Sequence, residues 1–175
     1  MTAERPTLRF YLWLVVAGLI TFVIHEGAHW LMGTALGYEM SYGLNGSTSS
    51  TPATVLHHTL ISAAGPLITI AQAIVAFVIV RSRGSLLAYA FLFIAAFMRA
   101  VAMGLSLILP NDEARISTTL GLGMWTLPAA VALGLIALTV VASRRLRLSW
   151  KTNVLAYLVT SLTVSAIVGL DMVLK

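Results

Sequence analysis

The chain has 175 residues, of which 59% are hydrophobic and only 10% are charged. A soluble domain averages about 45–50% apolar and about 25% charged residues, so this composition excludes a water-soluble globular fold. The length fits one compact domain, and the lack of cysteine excludes disulfides and cysteine-based zinc sites, which leaves His, Asp and Glu as metal ligands.

Five apolar stretches predict an all-α membrane protein, a polytopic bundle of about five transmembrane helices. Each stretch reaches the length of about 20 residues that a helix needs to cross about 30 Å of hydrocarbon. The first stretch follows Arg5 and Arg9 as a signal peptide would, but it is too long and lacks a small-residue cleavage site, so we expect a retained helix. The five stretches cover residues 8–36, 56–80, 85–109, 122–142 and 152–174.

The basic residues lie in alternate loops between the apolar stretches. This is how membrane topology is encoded, and the net charge of +5 therefore predicts no nucleic-acid partner. By the positive-inside rule, the N-terminus is predicted to be cytoplasmic and the C-terminus to lie outside. The basic residues concerned are Arg5, Arg9, Arg81, Arg83, Arg144, Arg145, Arg147 and Lys151.

One long polar loop, residues 37–54, joins the first two spans. Its Gly, Ser, Thr and Asn content argues against a helix. It is either a flexible surface loop or a short hairpin that folds back against the bundle near a site. In the second case, its edge could receive an extended substrate by strand addition.

Two histidines and a glutamate stand near the end of the first span. Residues four apart share one face of a helix, so His25 and His29 can bind one metal ion. Glu26 can then take a proton from a zinc-bound water as it attacks a carbonyl, which is the H-E-x-x-H arrangement of zinc hydrolases. Ionisable groups in an apolar span cost at least about 2.5–3.5 kcal/mol each, so this interpretation is preferred to a polar cluster that only packs helices.

A catalytic zinc ion needs a third protein ligand and keeps one position open. Asp112 or Glu113, just beyond the third span, could supply it. His25 lies about 24 Å along its helix from the cytoplasmic start, so both regions are expected near the non-cytoplasmic side. His57 and His58 open the second span on the same side, as alternative ligands, substrate contacts or interfacial residues.

Two further features could support the site. Arg99 lies midway along the third span, where an Arg needs a partner, a cavity or a route to the interface. It could pair with Glu26 or Asp112, polarise a bound carbonyl, or serve only the structure. Gly65-Pro66 loosens the hydrogen bonding of the second span, which either lets that helix approach the first span closely, exposes a carbonyl, or only kinks the helix.

These residues resemble the site-2 protease type of intramembrane zinc metalloprotease over about residues 8–120, with residues 122–142 and 152–174 as additional helices. The resemblance implies that His25, His29 and Asp112 hold one Zn²⁺ ion and that Glu26 is the catalytic acid/base. The chain departs from the family pattern around Asp112, where Leu-Asp-Gly is usual, and at 68–70, where an Asn is frequent. The motifs that carry the resemblance are His25-Glu26-Gly27-Ala28-His29, Ala64-Gly65-Pro66-Leu67 and the acidic residue after the third span.

The sequence as a whole, residues 1–175, predicts a single-domain zinc metalloendopeptidase that hydrolyses peptide bonds in membrane-spanning or membrane-proximal segments. Its expected partners are a membrane protein or peptide substrate and the lipid bilayer, most naturally a bacterial or archaeal inner membrane. The alternative is a non-catalytic metal-binding membrane protein, such as a sensor, a transporter subunit or a partner for other helices, in which Glu26 would be dispensable. A passive helix bundle would bind no metal.

Overall fold

The computed structural model describes residues 6–174, so Arg5 lies outside the described residues. Within this range the chain forms six helices and one antiparallel two-stranded hairpin. In chain order the elements are α1 (Leu8–Ala35), β1 (Met40–Gly43), β2 (Gly46–Ser49), α2 (Val55–Arg83), α3 (Leu86–Leu105), α4 (Asp112–Thr119), α5 (Thr126–Arg145) and α6 (Trp150–Leu174).

All the helices except α4 are long and apolar enough to cross a membrane. Their outward faces are apolar as well, since Leu67, Leu133 and Leu162 are each more than 60% exposed. Such a surface is stable against lipid, and helices satisfy their own backbone hydrogen bonds there. The predicted helical bundle with five membrane-spanning segments is therefore confirmed, and the chain is an integral membrane protein.

Small side chains hold the bundle together. The helices α1, α2 and α3 pack against one another, α5 packs on α3, and α6 packs mainly on α1. Ala17, Ala73 and Ala95 are fully buried at these contacts. Small residues let backbones approach closely, which matters in lipid because packing rather than water exclusion drives helix association. A buried polar contact adds to it, since Gln72 Nε2 of α2 donates to Thr21 Oγ1 of α1 at 2.9 Å.

The two ends of the bundle differ in charge. The starts of α1, α3 and α6 meet at one end, where the ring of Phe10 stacks on Tyr89 and the Tyr89 hydroxyl donates to Asn153 at 2.7 Å. This is the basic end. The last turn of α1, the hairpin and α4 lie toward the other end. The basic end carries Arg9, Arg81, Arg83, Arg144, Arg145, Arg147 and Lys151.

Between α3 and α5, two helix bounds differ from the sequence prediction and one helix was not predicted. The helix α3 ends at Leu105 rather than at residue 109, and hydrogen-bonded turns continue the chain to Leu109, where Pro110 disfavours helical backbone in the residue ahead of it. The helix α5 begins at residue 126 rather than 122, after Gly121 and Gly123 adopt φ values of 70° and 80°. The helix α4 was not predicted, since eight residues with an acidic first turn carry no apolar run.

Residues 37–54 contain the hairpin, the second of the two alternatives for this loop. It folds back along α1 toward the middle of the bundle, and the backbone N–H of Leu44 at its tip donates to Asp171 Oδ1 of α6 at 2.8 Å. The contacts with α1 extend over about 10 Å of helix, at 1.5 Å per residue. They are Trp30 Nε1 to Met40 O at 3.1 Å, Ser47 Oγ to Glu26 O at 3.0 Å, and Tyr42 hydroxyl to Val23 O at 3.1 Å.

Candidate metal centre

Two helices bring three potential metal ligands together. His25 and His29 lie one turn apart on α1 and are both buried. Their Nε2 atoms are 3.2 Å apart, and Asp112 Oδ2, from the first residue of α4, lies 3.4 Å from the first and 3.3 Å from the second. Among residues 6–174, these three form the one group of three or more His, Cys, Asp or Glu side chains that could hold a metal ion.

Hydrogen bonds on the far side of each imidazole fix its tautomer. His29 Nδ1 donates to the Ile61 carbonyl at 2.6 Å. The Thr69 hydroxyl donates to Gly65 O at 3.0 Å, so its 3.0 Å contact with His25 Nδ1 is one in which the ring nitrogen donates. Both neutral rings therefore carry their proton on Nδ1, and both Nε2 lone pairs point at each other. Ligand histidines in metal sites are oriented by partners of this kind.

The converging atoms require a positive charge between them. Two Nε2 lone pairs and a carboxylate oxygen repel one another unless a proton or a metal ion lies among them. A tetrahedral zinc ion with bonds of about 2.0–2.1 Å would hold its ligands about 3.3 Å apart. The three separations of 3.2, 3.3 and 3.4 Å match that spacing, so the residues fit a zinc ion.

Gly65 lets α2 approach the two imidazoles. A Cβ atom at this position would lie 2.6 Å from His25 Cε1 and 2.7 Å from His25 Nε2, and closer still to His29 Nε2. Only glycine therefore fits between the α2 backbone and the rings. Pro66 is buried beside it, and the helix α2 nevertheless continues unbroken from Val55 to Arg83.

We expect Gly65→Ala to push the histidine rings apart and to lower zinc affinity about 10- to 100-fold, the range seen when groups that orient metal ligands are lost. Competition with a chromophoric chelator would measure this. Gly134→Ala is the matched control, because a Cβ atom at Gly134 meets no heavy atom within 4 Å. Equal zinc affinities in the two variants would contradict the role given to Gly65.

Glu26 lines the same cleft as the three ligands, and the hairpin holds it there. The Ser47 hydroxyl lies 3.0 Å from the Glu26 carbonyl and 3.3 Å from Glu26 Oε2, so it can donate to either. The cleft has a volume of about 370 Å³ and is bordered by α1, α3, α4, α6 and β2. Glu26 is thus both buried and in reach of the space that a substrate would occupy.

Burial and neighbouring groups set the ionisation of the Asp112 carboxyl and the Tyr42 hydroxyl. Burial alone raises the pKa of the Asp112 carboxyl, but the positive charge that the cluster holds between this carboxyl and the imidazoles of His25 and His29 outweighs burial and keeps that pKa well below its ordinary value. Asp112 is therefore an anion. Burial and the charge of Glu26 raise the pKa of the Tyr42 hydroxyl, which stays protonated and donates to α1.

The partner of Arg99 is not one of those predicted. Arg99 Nη1 donates to Glu113 Oε1 at 2.9 Å, and both side chains are only 5% exposed. The predictions that Arg99 pairs with Glu26 or Asp112 were wrong, because α4 turns Asp112 toward the histidines and the next residue toward α3. Glu113, an alternative third ligand in the sequence, is occupied by this ion pair. Arg99 also lines the cleft.

The other candidate residues lie outside the cluster. The Tyr38 hydroxyl lies 2.9 Å from His57 Nδ1, and this contact closes the base of the hairpin loop on α2. His58 is exposed in the first turn of α2. Neither histidine belongs to the group that converges on Asp112, so the interpretation of these two as third ligands is not supported by the geometry.

Sequence reasoning missed the second layer of the site. Thr69, which orients His25, follows Gly65 by one helical turn, and this spacing is a usable signal once Gly65 is placed against the histidines. Ser47 lies in a loop rich in similar residues and carries no distinguishing signal.

None of the known protein families, curated proteins or solved structures with which the chain was compared matches it.

Proposed function

We propose that the protein is a zinc metallopeptidase that hydrolyses peptide bonds of membrane-spanning or membrane-proximal segments. The observation that carries this proposal is the spacing of the three ligand atoms, 3.2–3.4 Å, together with the Nδ1 hydrogen bonds that leave both Nε2 lone pairs free. The resemblance of His25–His29 to the H-E-x-x-H motif of site-2 proteases supports the same function.

In this proposal His25, His29 and Asp112 hold the ion. A bound zinc ion supplies Lewis acidity, which polarises a carbonyl and makes water more acidic. Glu26 accepts the proton of the attacking water at its carboxylate and delivers it to the leaving amine nitrogen, the general acid–base role. The Ser47 hydroxyl holds that carboxylate toward the cleft.

The hairpin offers a binding edge for the substrate. The Ser50 N–H bonds to Glu39 O, so Ser47 and Ser49 belong to pairs whose backbone groups point away from β1. The strand β2 borders the cleft through Asn45, Gly46, Ser47 and Thr48. An extended substrate segment could add to this edge by strand pairing, which would expose its carbonyls to the site.

We expect replacement of residues 40–49 by a Gly/Ser linker of equal length to reduce cleavage strongly while zinc content is retained. The physical reason is the loss of both the pairing edge and the Ser47 contact with Glu26. Cleavage of a reconstituted single-span substrate, measured beside zinc content, tests this. Cleavage at the wild-type rate would contradict the proposed role of the hairpin but would leave the proposed metal site unaffected.

The orientation follows from the charges. The seven basic residues of the basic end mark the side that the positive-inside rule assigns to the cytoplasm. The metal centre lies in the other half of the bundle, so we propose that it is nearer the non-cytoplasmic face. Addition of a membrane-impermeant chelator to one side of sealed vesicles distinguishes the two orientations.

The zinc content of detergent-purified protein tests the proposed function directly. We expect about one zinc per chain, lost in His25→Ala and in Asp112→Ala, because each removes one of three ligands. His58→Ala is the matched control, since His58 lies outside the cluster and should keep its zinc. Removal of zinc by a chelator should stop cleavage of reconstituted single-span substrates, and its return should restore it. A folded chain that takes up no metal would refute the proposal.

A further inference from the structure

A second cavity lies at the basic end, away from the metal centre. It has a volume of about 530 Å³, and α3 forms its floor while α5 and α6 form its walls. The two wall helices are joined by a short turn and then diverge, because α5 packs on α3 whereas α6 packs mainly on α1. We call this cavity the α5–α6 groove. Its apolar lining includes Phe93, Ala96, Phe97, Ile136, Val140 and Leu148.

The end of the groove beside the α5–α6 turn, which we call its mouth, is basic and aromatic. Arg144 is exposed and lines the groove, and Trp150 lines it with 71% of its surface exposed. The α5–α6 turn adds Arg145, Arg147 and Lys151 within the next seven residues. Trp and Tyr are enriched where a helix meets the lipid headgroups, and clustered Lys and Arg at a helix end attract anionic lipids.

From these observations we propose that the α5–α6 groove binds an anionic phospholipid. One acyl chain would lie on α3 between the two wall helices, and Arg144, the one Lys or Arg that lines the groove among the described residues, would hold the headgroup phosphate. The charge at the mouth and the apolar depth match the two parts of this ligand, and basic pockets between transmembrane helices are known to take such headgroups. The inference is independent of the metal centre.

The volume argues against a transmembrane helix as the occupant. A helix is about 10–12 Å wide and rises 5.4 Å per turn, so a space of this size would seat only about one turn. A helix of a second copy or of a substrate would also gain nothing from a mouth lined with cations, unless it carried acidic residues there. A flexible acyl chain with a phosphate at one end uses both features.

Native mass spectrometry of the full chain from nanodiscs containing equal phosphatidylglycerol and phosphatidylcholine tests the proposal. We expect one phosphatidylglycerol to be retained preferentially. Each basic residue near an anionic lipid contributes a factor of about five, so Arg144→Gln should lower the preference about fivefold. The matched control is Arg83→Gln, an exposed charge at the same end of the bundle that does not line the groove.

A second variant tests the depth of the groove. Ala100 lines it, so Ala100→Phe should fill it and abolish retention of the lipid, whereas Ala166→Phe on the exposed side of α6 should not. Equal losses in Arg144→Gln and Arg83→Gln would mean that the attraction is a diffuse property of the basic end, which overturns the site. If lipid retention survives Ala100→Phe while self-association of the protein is lost, the groove binds a second copy of the chain. This outcome would overturn the proposal as well.

Discussion

Replacing Glu26 by Gln should lower the rate of substrate cleavage by about 10²–10⁴-fold, the usual contribution of a general acid–base group, while zinc remains at one per chain. The amide has nearly the shape of the carboxylate and can still accept from Ser47, but it cannot take a proton from water. Single-turnover cleavage of a reconstituted substrate, measured beside zinc content, gives both quantities on one sample.

This substitution separates the two functions that the sequence leaves open. Glu39→Gln is the matched control, an exposed carboxylate on the same side of the bundle that lies at the base of the hairpin. We expect its cleavage rate to equal that of the wild type. If Glu26→Gln also cleaves at the wild-type rate, the metal centre serves binding or sensing, and the peptidase proposal fails even though zinc is present.

Breaking the Arg99–Glu113 ion pair should destabilise the bundle by about 3–5 kcal/mol, because removal of one partner leaves the other charge buried and uncompensated. Glu113 directly follows Asp112, so the pair also anchors the first turn of α4, which carries the proposed third ligand. We therefore expect Arg99→Met and Glu113→Gln each to weaken zinc binding as well as to lower the unfolding temperature in detergent.

An exposed arginine on α4 provides the comparison for this pair. Arg115 Nη1 lies 3.8 Å from Asp112 Oδ1, but its side chain is 49% exposed, and exposed pairs contribute about 0–1 kcal/mol. Arg115→Met should thus change stability and zinc affinity little. Joint replacement, Arg99→Met with Glu113→Leu, should recover most of the stability, because a buried ion pair is replaceable by apolar side chains. A double variant as unstable as the single ones would argue against a direct ion-pair role.

Much of the helical scaffold could be predicted from the sequence because lipid imposes length and hydropathy on each span. The apolar runs placed α1 and α6 almost to the residue, and the His25–His29 spacing on one helical turn placed two ligands side by side. Asp112 was named as one of several third ligands. It meets the histidines because it opens a short helix, and such a helix leaves no hydropathy signal.

The parts that could not be predicted depend on contacts between distant segments. Whether Arg99 pairs with Glu26, Asp112 or Glu113 depends on how α4 is rotated about its own axis. Asp112 and Glu113 are adjacent in sequence, so a rotation of α4 by one residue would exchange their directions. The tip of the hairpin is held by Asp171, whose carboxylate accepts a hydrogen bond from the backbone N–H of Leu44, 127 positions earlier in the chain. Its strands are only four residues each, and β2, which reads Gly-Ser-Thr-Ser, is polar on both faces, so periodicity is too short and too weak to indicate them.

The outward edge of β2 has a consequence for hydration. Unpaired peptide groups in hydrocarbon cost several kcal/mol each, so the backbone of Ser47, which borders the cleft, can point away from β1 only if solvent reaches it. The hairpin thus opens a wet inlet alongside α1, down to the level of Glu26. A substrate strand would take the place of solvent at these hydrogen-bonding positions, so the edge would align the substrate backbone with the site without distinguishing one side chain from another. Selectivity would then come from how readily a membrane segment unwinds, and less from the side chains that it carries.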